Sequence, residues 1–364
     1  MKTVFLVFLL SLSLLLSAQT NTAKKNIFII TTDGFRWQEV FSGADPLLLS
    51  NPEFTADTSL AKDMYGDTTA ELRRKRLLPF FWNVIAKKGQ LYGNRNYGSN
   101  VNAKNIYKIS YPGYDEILSG YTGLHFTANK PVDNPNMNLP EYLNNYSAAY
   151  YGKVAAFASW NIIPYIFNRQ RNGLTVNGGY SNLPADTGSV NMILNKVQDV
   201  ITQKAPTRYD LLTYLSAKEY IRANHPKVVF LGFGETDESA HQGRYDAYLH
   251  NASMFDKLLG ELYYYTQSDP FYKNNTIFLI TTDHGRGNKS STWDTHGFLK
   301  KGSGETWLAL IGDGIEPTGE LQKNLQIYSN QLASTIAVLL GEQFETPHSK
   351  GKPVELIIDN SRIK

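Results

Sequence analysis

Two apolar stretches of the sequence, one near residue 30 and one near residue 280, end in the same three residues. The first reads FIITTDGFR and the second FLITTDHGRG, so each leads through two threonines into an aspartate, Asp33 or Asp283. Short apolar runs of this kind are typical of strands buried on both faces of a parallel sheet. Ligands of such sheets bind beyond the carboxyl ends of the strands, where both aspartates would lie. The repeated pattern predicts a parallel sheet with a site at one edge, although either aspartate alone is also an ordinary capping or turn residue.

Further segments of the chain extend this pattern. Strands are predicted at residues 26–32, 154–158, 228–232, 276–282 and 306–311. Helices are predicted where apolar residues recur at steps of three and four, at residues 77–88, 209–223, 245–265 and 331–340. This alternation predicts an α/β fold with a mostly parallel central sheet and helices on both faces. The polar stretches 42–69 and 127–144 are expected to be insertions or surface loops.

The first 18 residues have the layout of a secretory signal peptide. A lysine at position 2 precedes an apolar run over residues 4–16, which is too short to span a bilayer comfortably and lacks the polar residues of an amphipathic helix. We expect cleavage after Ala18, no membrane span after that cleavage, and a periplasmic or secreted protein. No linker or repeat divides residues 19–364, so a single catalytic domain is expected there.

Charge and cysteine content limit the partners and sites to be considered. The 364 residues carry 36 basic and 33 acidic side chains with no long basic block, so neither nucleic acid nor an acidic membrane surface is expected as a partner. The chain has no cysteine, so metal ligands must come from histidine, carboxylates or hydroxyl groups.

A third polar cluster, GETDESAH, follows the predicted strand at 228–232. Asp237 and His241 stand four residues apart, so on one helical turn both side chains leave the same face and can share a metal ion. A surface Asp-His pair is the commoner meaning of that spacing when it is taken alone. His284 beside Asp283, and His296 in WDTHG, add ligand types of suitable hardness.

Ser110, in ISYPGYDE, is the candidate nucleophile. A serine before Tyr-Pro-Gly is ordinary turn chemistry when it stands alone. Beside a metal ion, however, its hydroxyl would lose the proton at neutral pH without a histidine base. Enough ligands for two metal ions with open positions are then present, namely Asp33, Ser110, Asp237, His241, Asp283, His284 and His296.

The order of these motifs resembles the alkaline phosphatase superfamily, most closely its nucleotide pyrophosphatase/phosphodiesterase-like branch. The resemblance rests on TTDGFR, ISYPGYDEILSGY, TDESAH, TTDHGRG and DTHG, with SNQLASTIAVLLG similar to the family's C-terminal helix, and it spans residues 26 to 341. It implies two divalent ions, usually zinc in the family. One would be held by Asp33, Asp283, His284 and the Ser110 oxygen, and the other by Asp237, His241 and His296. It also implies that Ser110 attacks phosphorus to give a phosphoserine, which water then hydrolyses.

Departures from the family pattern bear on the substrate. The branch often has Thr-Phe-Pro-Asn-His where this chain has Ser-Tyr-Pro-Gly-Tyr at 110–114. Type I sulfatases need an arginine at the position of Tyr114, which disfavours a formylglycine sulfatase. Asn129 is a candidate for the branch's phosphate-binding asparagine, and Arg36 is a candidate substrate clamp, as are Lys104 and Arg286.

The sequence therefore predicts a secreted two-metal hydrolase of small-molecule phosphate esters. Diesters, monoesters or both are possible substrates, with a slight preference for diesters because no basic pair stands ready to clamp a dianion. The alternatives are a sulfatase, a phosphotransferase similar to cofactor-independent phosphoglycerate mutases, and a binding protein that has lost the chemistry. Tyrosines lie close to the nucleophile and would either stack on the substrate or pack in the core, namely Tyr107, Tyr111, Tyr114 and Tyr121.

Overall fold

The structure is a computed structural model that describes residues 24–123, 128–168, 170–171 and 173–357. The predicted signal peptide at residues 1–18 lies outside the described residues. Within the described ranges, no helix combines the length and the hydrophobicity needed to cross a membrane.

The described strands form two sheets. In chain order they are β1 (Asn26–Thr32), β2 (Gly89–Tyr92), β3 (Ser99–Asn102), β4 (Val154–Ala158), β5 (Thr175–Gly178), β6 (Val228–Phe233), β7 (Thr276–Thr281), β8 (Glu305–Thr306), β9 (Leu308–Gly312), β10 (Gly319–Glu320) and β11 (Leu325–Tyr328). The large sheet has the spatial order β10-β2-β9-β7-β1-β6-β4-β5, and the small one has the order β11-β3-β8.

Helices connect these strands. They are α1 (Trp37–Ser42), α2 (Pro46–Leu49), α3 (Thr58–Tyr65), α4 (Ala70–Leu77), α5 (Ala86–Lys88), α6 (Ser110–Ser119), α7 (Leu139–Tyr146), α8 (Ile163–Ile166), α9 (Val190–Asp199), α10 (Asp210–Asn224), α11 (Glu235–His241), α12 (Tyr245–Ser268) and α13 (Leu332–Leu339). A π-helical turn at Phe81–Ile85 leads into α5, and short 3₁₀ turns lie at Arg95–Tyr97 and Ser329–Gln331.

Strand β1 occupies the centre of the large sheet, between β7 and β6. All neighbouring strands from β7 to β5 pair in parallel, whereas β9 is antiparallel to both β7 and β2. In the register, Thr32 lies opposite Phe233 of β6, and Thr31 lies opposite Thr281 of β7. Because three parallel strands end level with one another, the residues that follow them meet at one edge.

Apolar side chains cover both faces of the sheet. Phe28 and Ile30 of β1 belong to one fully buried cluster, which includes Leu259 of α12. Ile27 and Ile29 point to the opposite face and belong to a second cluster, which includes Ile117 of α6 and residues of α13. The predicted α/β class, with a mostly parallel sheet between two helical layers, is confirmed.

Local differences from the sequence prediction have recognisable causes. The stretch 42–69 is not all loop, because it contains α2 and α3. Their capping residues, Asp45 and Asp57, accept hydrogen bonds from first-turn N–H groups through their carboxylates. The stretch 127–144 likewise contains the start of α7, capped by Asn138. The helix predicted at 77–88 is divided, since α4 ends at Leu77 and the π-helical turn follows.

Candidate functional site

The turn after β1 brings three strand ends together. Gly34 has a φ of 58° and donates its N–H to Asp283 Oδ1 at 3.0 Å. A β-carbon at Gly34 would lie 2.7 Å from Asp237 Oδ1, so a side chain at this position would strain both the backbone and its neighbour. Asp33, Asp237 and Asp283, which the sequence places 204 and 46 positions apart in turn, therefore share one site.

The first cluster consists of Asp33, Asp283, His284 and Ser110, all buried. His284 Nε2 lies 3.4 Å from Asp33 Oδ1 and 3.4 Å from Asp283 Oδ2. The Ser110 hydroxyl lies 3.3 Å from the same nitrogen and 3.4 Å from Asp33 Oδ1. The ligand atoms of the two aspartates and His284 lie within 4.8 Å of one another, which is a spacing that one metal ion can bridge.

Electrostatics of this cluster favour a cation. Burial and the charge of Asp33 raise the pKa of Asp283 to about 7. Burial opposes a charge on His284, but the two carboxylates outweigh it and raise the pKa of that imidazole to about 9.

Among the described residues, Asp283 Oδ2 has no hydrogen-bond partner. His284 Nδ1 lies 2.9 Å from the carbonyl of Gly285, so it donates there when Nε2 is a free ligand. The cluster thus fits a divalent ion in place of the imidazole proton.

The second cluster consists of Asp237, His241 and His296. Helix α11 begins just after β6 and puts Asp237 and His241 on one face, with His241 Nε2 at 3.2 Å from Asp237 Oδ2. His296 Nε2 lies 3.0 Å from His241 Nε2 and 3.8 Å from Asp237 Oδ1. Burial lowers the pKa of both histidines, so each is neutral and suited to metal binding. The predicted one-turn geometry of this motif is present.

The two clusters adjoin each other. The rings of His284 and His296 stack with centroids 3.9 Å apart and planes 13° apart. Ligand atoms of Asp237, His284 and His296 also lie within 4.8 Å of one another. His296 is oriented by a hydrogen bond from Nδ1 to the Lys108 carbonyl at 3.1 Å, which directs Nε2 toward the cluster. The arrangement suits two ions side by side. The structure brings all seven sequence-predicted ligands together in these two clusters, and their role as metal ligands stays a prediction.

Ser110 is the first residue of α6, and this helix packs tightly against the end of β7. A β-carbon at Gly113 would lie 2.6 Å from the Asp283 carbonyl oxygen, so glycine permits the close approach. Tyr114 donates its hydroxyl to Asp33 Oδ2 at 3.1 Å. Tyr111 and Tyr114 are almost fully buried, so they pack in the core instead of presenting a stacking surface. Ser110 is thus a helix-start residue, where backbone N–H groups favour negative charge.

The proposed basic clamps lie outside the site opening. Arg36 is buried and its guanidinium pairs with Glu39, with Nε 2.9 Å from Oε2. Arg286 contacts the carboxylate of Asp237 and donates to the Gly34 carbonyl at 3.1 Å, so it supports a candidate ligand. Lys104 lies over the ring of Tyr328. The structure does not bring Arg36 or Lys104 to the substrate side of Ser110.

A cleft of about 400 Å³ opens above Ser110. Its lining comprises Asp33, Ser110, Asn129, Trp160, Asn161, Ile162, Pro206, Thr207, Gly234, Asp237 and Glu238. Asn129 lies at the rim, where its Oδ1 accepts the N–H of Tyr111 at 3.0 Å. A larger groove of about 1080 Å³ lies along α12 and contains none of the seven candidate ligands, so we regard the smaller cleft as the site.

The residues of this cleft that sequence reasoning missed follow a strand end. Trp160 and Asn161 follow β4 after one intervening residue, Ser159, and backbone pairing of residues 159–161 with 206–208 brings Thr207 beside them. The rule that located Asp33 and Asp283 also applies to β4, because β4 is parallel to β6 and ends at the same edge. Residues 159–168 after that strand contain no acidic residue or histidine, so the sequence has no motif there that indicates a site.

Comparison of the fold with solved structures identifies its relatives. Alkaline phosphatase PafA superposes with a TM-score of 0.60 at 10% identity, covering 92% of this chain and 99% of that one. The chain has the alkaline phosphatase fold. The lipoteichoic acid synthase LtaP from Listeria monocytogenes matches with a TM-score of 0.56 at 12% identity, covering 89% of this chain and 74% of that one. A 2-O GAG sulfatase matches with a TM-score of 0.54 at 13% identity, covering 92% and 74%.

Comparison of the amino-acid sequence, in contrast, finds no match. No family model matches this alkaline phosphatase-like chain, and no curated protein matches it. The resemblance that the motif order predicted is confirmed at the level of the superfamily fold. The narrower likeness to the phosphodiesterase branch remains a prediction, because structural likeness at these identities establishes the fold alone.

Proposed function

We propose that this chain is a metal-dependent hydrolase of phosphate esters, acting through Ser110 and preferring diesters. One observation carries the proposal. The Ser110 hydroxyl lines the cleft and lies 3.4 Å from Asp33 Oδ1 and 3.3 Å from His284 Nε2. These atoms belong to a buried cluster of carboxylates and an imidazole that suits a cation. Periplasmic or extracellular action is part of the same proposal and rests on the N-terminal sequence.

The residues present fit two divalent ions. Asp33, Asp283, His284 and Ser110 would hold one, and Asp237, His241 and His296 would hold the other. Mixed imidazole and carboxylate ligands suit zinc. When bound, such ions would balance the carboxylates, lower the pKa of the Ser110 hydroxyl and polarise the phosphoryl group.

The chain itself supplies the nucleophile and its orientation. The Ser110 hydroxyl gives up its proton and its oxygen forms a bond to phosphorus, while the bond from phosphorus to the leaving oxygen breaks and that oxygen takes up a proton. This gives a phosphoserine, which keeps the second ester group when the substrate is a diester. Water then attacks this ester and returns the free serine. Tyr114 fixes the carboxylate of Asp33 through its hydroxyl, and the first N–H groups of α6 favour negative charge near Ser110.

The cleft favours diesters because its described lining has no lysine or arginine. A phosphate monoester carries a second negative charge, which is normally held by a basic side chain. Here Glu238 and Asp237 line the cleft instead, and a diester with a single negative charge meets less repulsion. Asn129, at the rim, is the candidate for a neutral contact with a phosphoryl oxygen.

A sulfatase of the formylglycine type is the second candidate within this fold, and the structure gives a reason against it. Tyr114, at the position where that motif needs arginine, is buried and bonded to Asp33. A phosphotransferase would transfer phosphate to an acceptor other than water, and a binding protein would show no turnover, so both alternatives differ measurably from hydrolysis.

The test measures metal content and three rates on the purified protein. The substrates are p-nitrophenyl phosphate, bis-p-nitrophenyl phosphate and p-nitrophenyl sulfate. We expect bound divalent metal and the highest rate on the diester. Ser110→Ala should lower that rate by at least about 10³-fold without changing the melting temperature.

The matched control is Ser334→Ala, which truncates another buried helical serine whose hydroxyl has no partner among the described residues. It should keep full activity. A metal-loaded protein that is inactive on all three substrates would refute the proposal, as would an active Ser110→Ala variant. Transfer of phosphate to an added alcohol in preference to water would indicate the phosphotransferase.

A further inference from the structure

A tight turn follows the candidate ligand His296 and holds two apolar side chains in solvent. Lys300 donates its N–H to the Gly297 carbonyl at 3.1 Å, so Phe298 and Leu299 are the two corner residues. Phe298 is 62% exposed and Leu299 is 88% exposed, the highest value for a large apolar residue in the described part of the chain. Corner positions of turns usually carry glycine, proline, asparagine, aspartate or serine. A phenylalanine and a leucine there are not explained by turn chemistry.

The residues at the base of this turn, Gly297, Gly302 and Ser303, are hydrogen-bonded to one another and to the rest of the fold. Gly297 donates its N–H to Ser303 Oγ at 3.1 Å. The Ser303 carbonyl accepts the N–H of Gly285 at 2.8 Å, beside the first metal cluster. Glu305 donates back to the carbonyl of Gly302, which has a φ of 102°. These bonds fix the base of the turn, and Phe298 and Leu299 lie beyond it in solvent.

Lysines surround the apolar pair. Lys300 and Lys301 follow it directly and are exposed, and the Lys301 carbonyl accepts the N–H of Asn288, which brings the exposed Lys289 close. Residues 297–304 contain no acidic side chain. Within the described ranges, no carboxylate oxygen lies within 4.0 Å of the amino groups of these three lysines. The positive charge of this tip is therefore local, and the nearly balanced composition of the whole chain conceals it.

We propose that this tip docks the protein on an anionic lipid surface. Phe298 and Leu299 enter the headgroup region, and Lys289, Lys300 and Lys301 contact lipid phosphates. An apolar insertion and a basic patch are the two signals that together give stable peripheral binding. Because His296 lies two residues before the corner, docking brings the second cluster close to the lipid surface. Binding does not depend on the proposed hydrolytic function, and this prediction revises the sequence-based expectation that excluded an acidic membrane surface.

The test is flotation of the purified protein, in its processed form, with vesicles of phosphatidylcholine alone or mixed with phosphatidylglycerol. We expect binding to the mixed vesicles, weakened by salt, and little binding to phosphatidylcholine alone. Phe298→Ser/Leu299→Ser should weaken binding by at least about tenfold. Lys300→Gln/Lys301→Gln should do so by at least about tenfold as well. Melting temperatures should not change, because all four side chains are exposed.

Matched controls come from other exposed positions. Leu47→Ser removes a leucine that is 72% exposed, and Lys87→Gln/Lys88→Gln removes another adjacent pair of exposed lysines. Both controls should bind as the unmodified protein does. The proposal is overturned if the unmodified protein does not bind mixed vesicles, or if tip and control variants bind equally. It is also overturned if the Phe298→Ser/Leu299→Ser variant alters only the oligomeric state, since the tip would then join two copies of the chain. If that variant unfolds, vesicle binding by the Lys300→Gln/Lys301→Gln variant tests the proposal by itself.

Discussion

Replacing Gly113 by alanine should displace Ser110 from Asp33 and His284. Gly113 lies in α6, three residues after Ser110, and packs on the backbone of Asp283. An added β-carbon would lie 2.6 Å from the Asp283 carbonyl oxygen and 3.1 Å from its β-carbon. Ordinary contacts begin near 3.4 Å, so the helix and the strand end must move apart by about 0.8 Å, the difference from 2.6 Å. The obstacle is backbone, which cannot rotate out of the way as a side chain can.

Two consequences follow from that displacement. Inserting a methyl group into a tightly packed contact lowers the free energy of unfolding by about 1–3 kcal/mol. The displacement also moves the Ser110 hydroxyl relative to Asp33 and His284, and misplacing a reacting group by about 1 Å can lower the rate about 10²-fold. We therefore expect Gly113→Ala to fold with reduced stability and to lose most of its turnover on the diester.

The assay pairs chemical denaturation with kcat on bis-p-nitrophenyl phosphate. Gly173→Ala is the control, because among the described residues a β-carbon there would lie within 4 Å only of the Asn144 amide nitrogen, at 3.8 Å. Its stability and turnover should stay close to those of the unmodified chain. If Gly113→Ala loses stability but keeps its full kcat, the spacing of α6 from Asp283 does not set the reactivity of Ser110. If neither quantity changes, the reasoning from the close contact is wrong.

Three further predictions concern the metal site and the core. Chelation should abolish turnover and lower the melting temperature, because a cation that binds only the folded protein stabilises it; an unchanged melting curve would argue against a resident cation. Tyr114→Phe, which removes the hydroxyl that orients Asp33, should weaken zinc binding about 10- to 100-fold in a competition titration, and unaltered affinity would assign that hydroxyl to packing alone. Burial raises the pKa of Asp256 to about 7, above the unfolded value of about 3.9, so its contribution to stability should decline as pH rises from about 4 to about 7. Urea denaturation across this range should show that decline relative to Asp256→Asn, and parallel curves for the two proteins would refute it.

Much of the fold was readable from the sequence because its signals are local. The apolar runs that became β1, β4 and β6 are short and continuous, which is what burial on both faces of a parallel sheet requires. The helical spacing of Asp237 and His241 was also local, since four residues make about one turn. The short helices at 42–69 and 127–144 were not predicted because their capping residues, such as Asp45 and Asn138, are of types that are also common in plain turns.

The order of the motifs further identified the candidate metal ligands and the candidate nucleophile. Sequence alone supplied Asp33, Asp283, His284 and Ser110 as chemical types, together with an export-like N-terminus and the absence of cysteine. It could not supply the distances among them, since those depend on the parallel register of β1 with β6 and β7. The sequence determines the type of each residue, but the fold determines which residues lie next to it across the sheet.

Tertiary structure alone decided what each polar group contacts. Arg36 and Asn129 were equally plausible substrate contacts in the sequence, yet packing ties Arg36 to Glu39 and leaves Asn129 at the cleft rim. Exposure was likewise decided by the fold, because Phe298 and Leu299 resemble core residues in sequence but lie in solvent at the corner of a turn. The physical reason is common to both cases. Burial and pairing free energies depend on contacts between segments far apart in the chain, which no local pattern records.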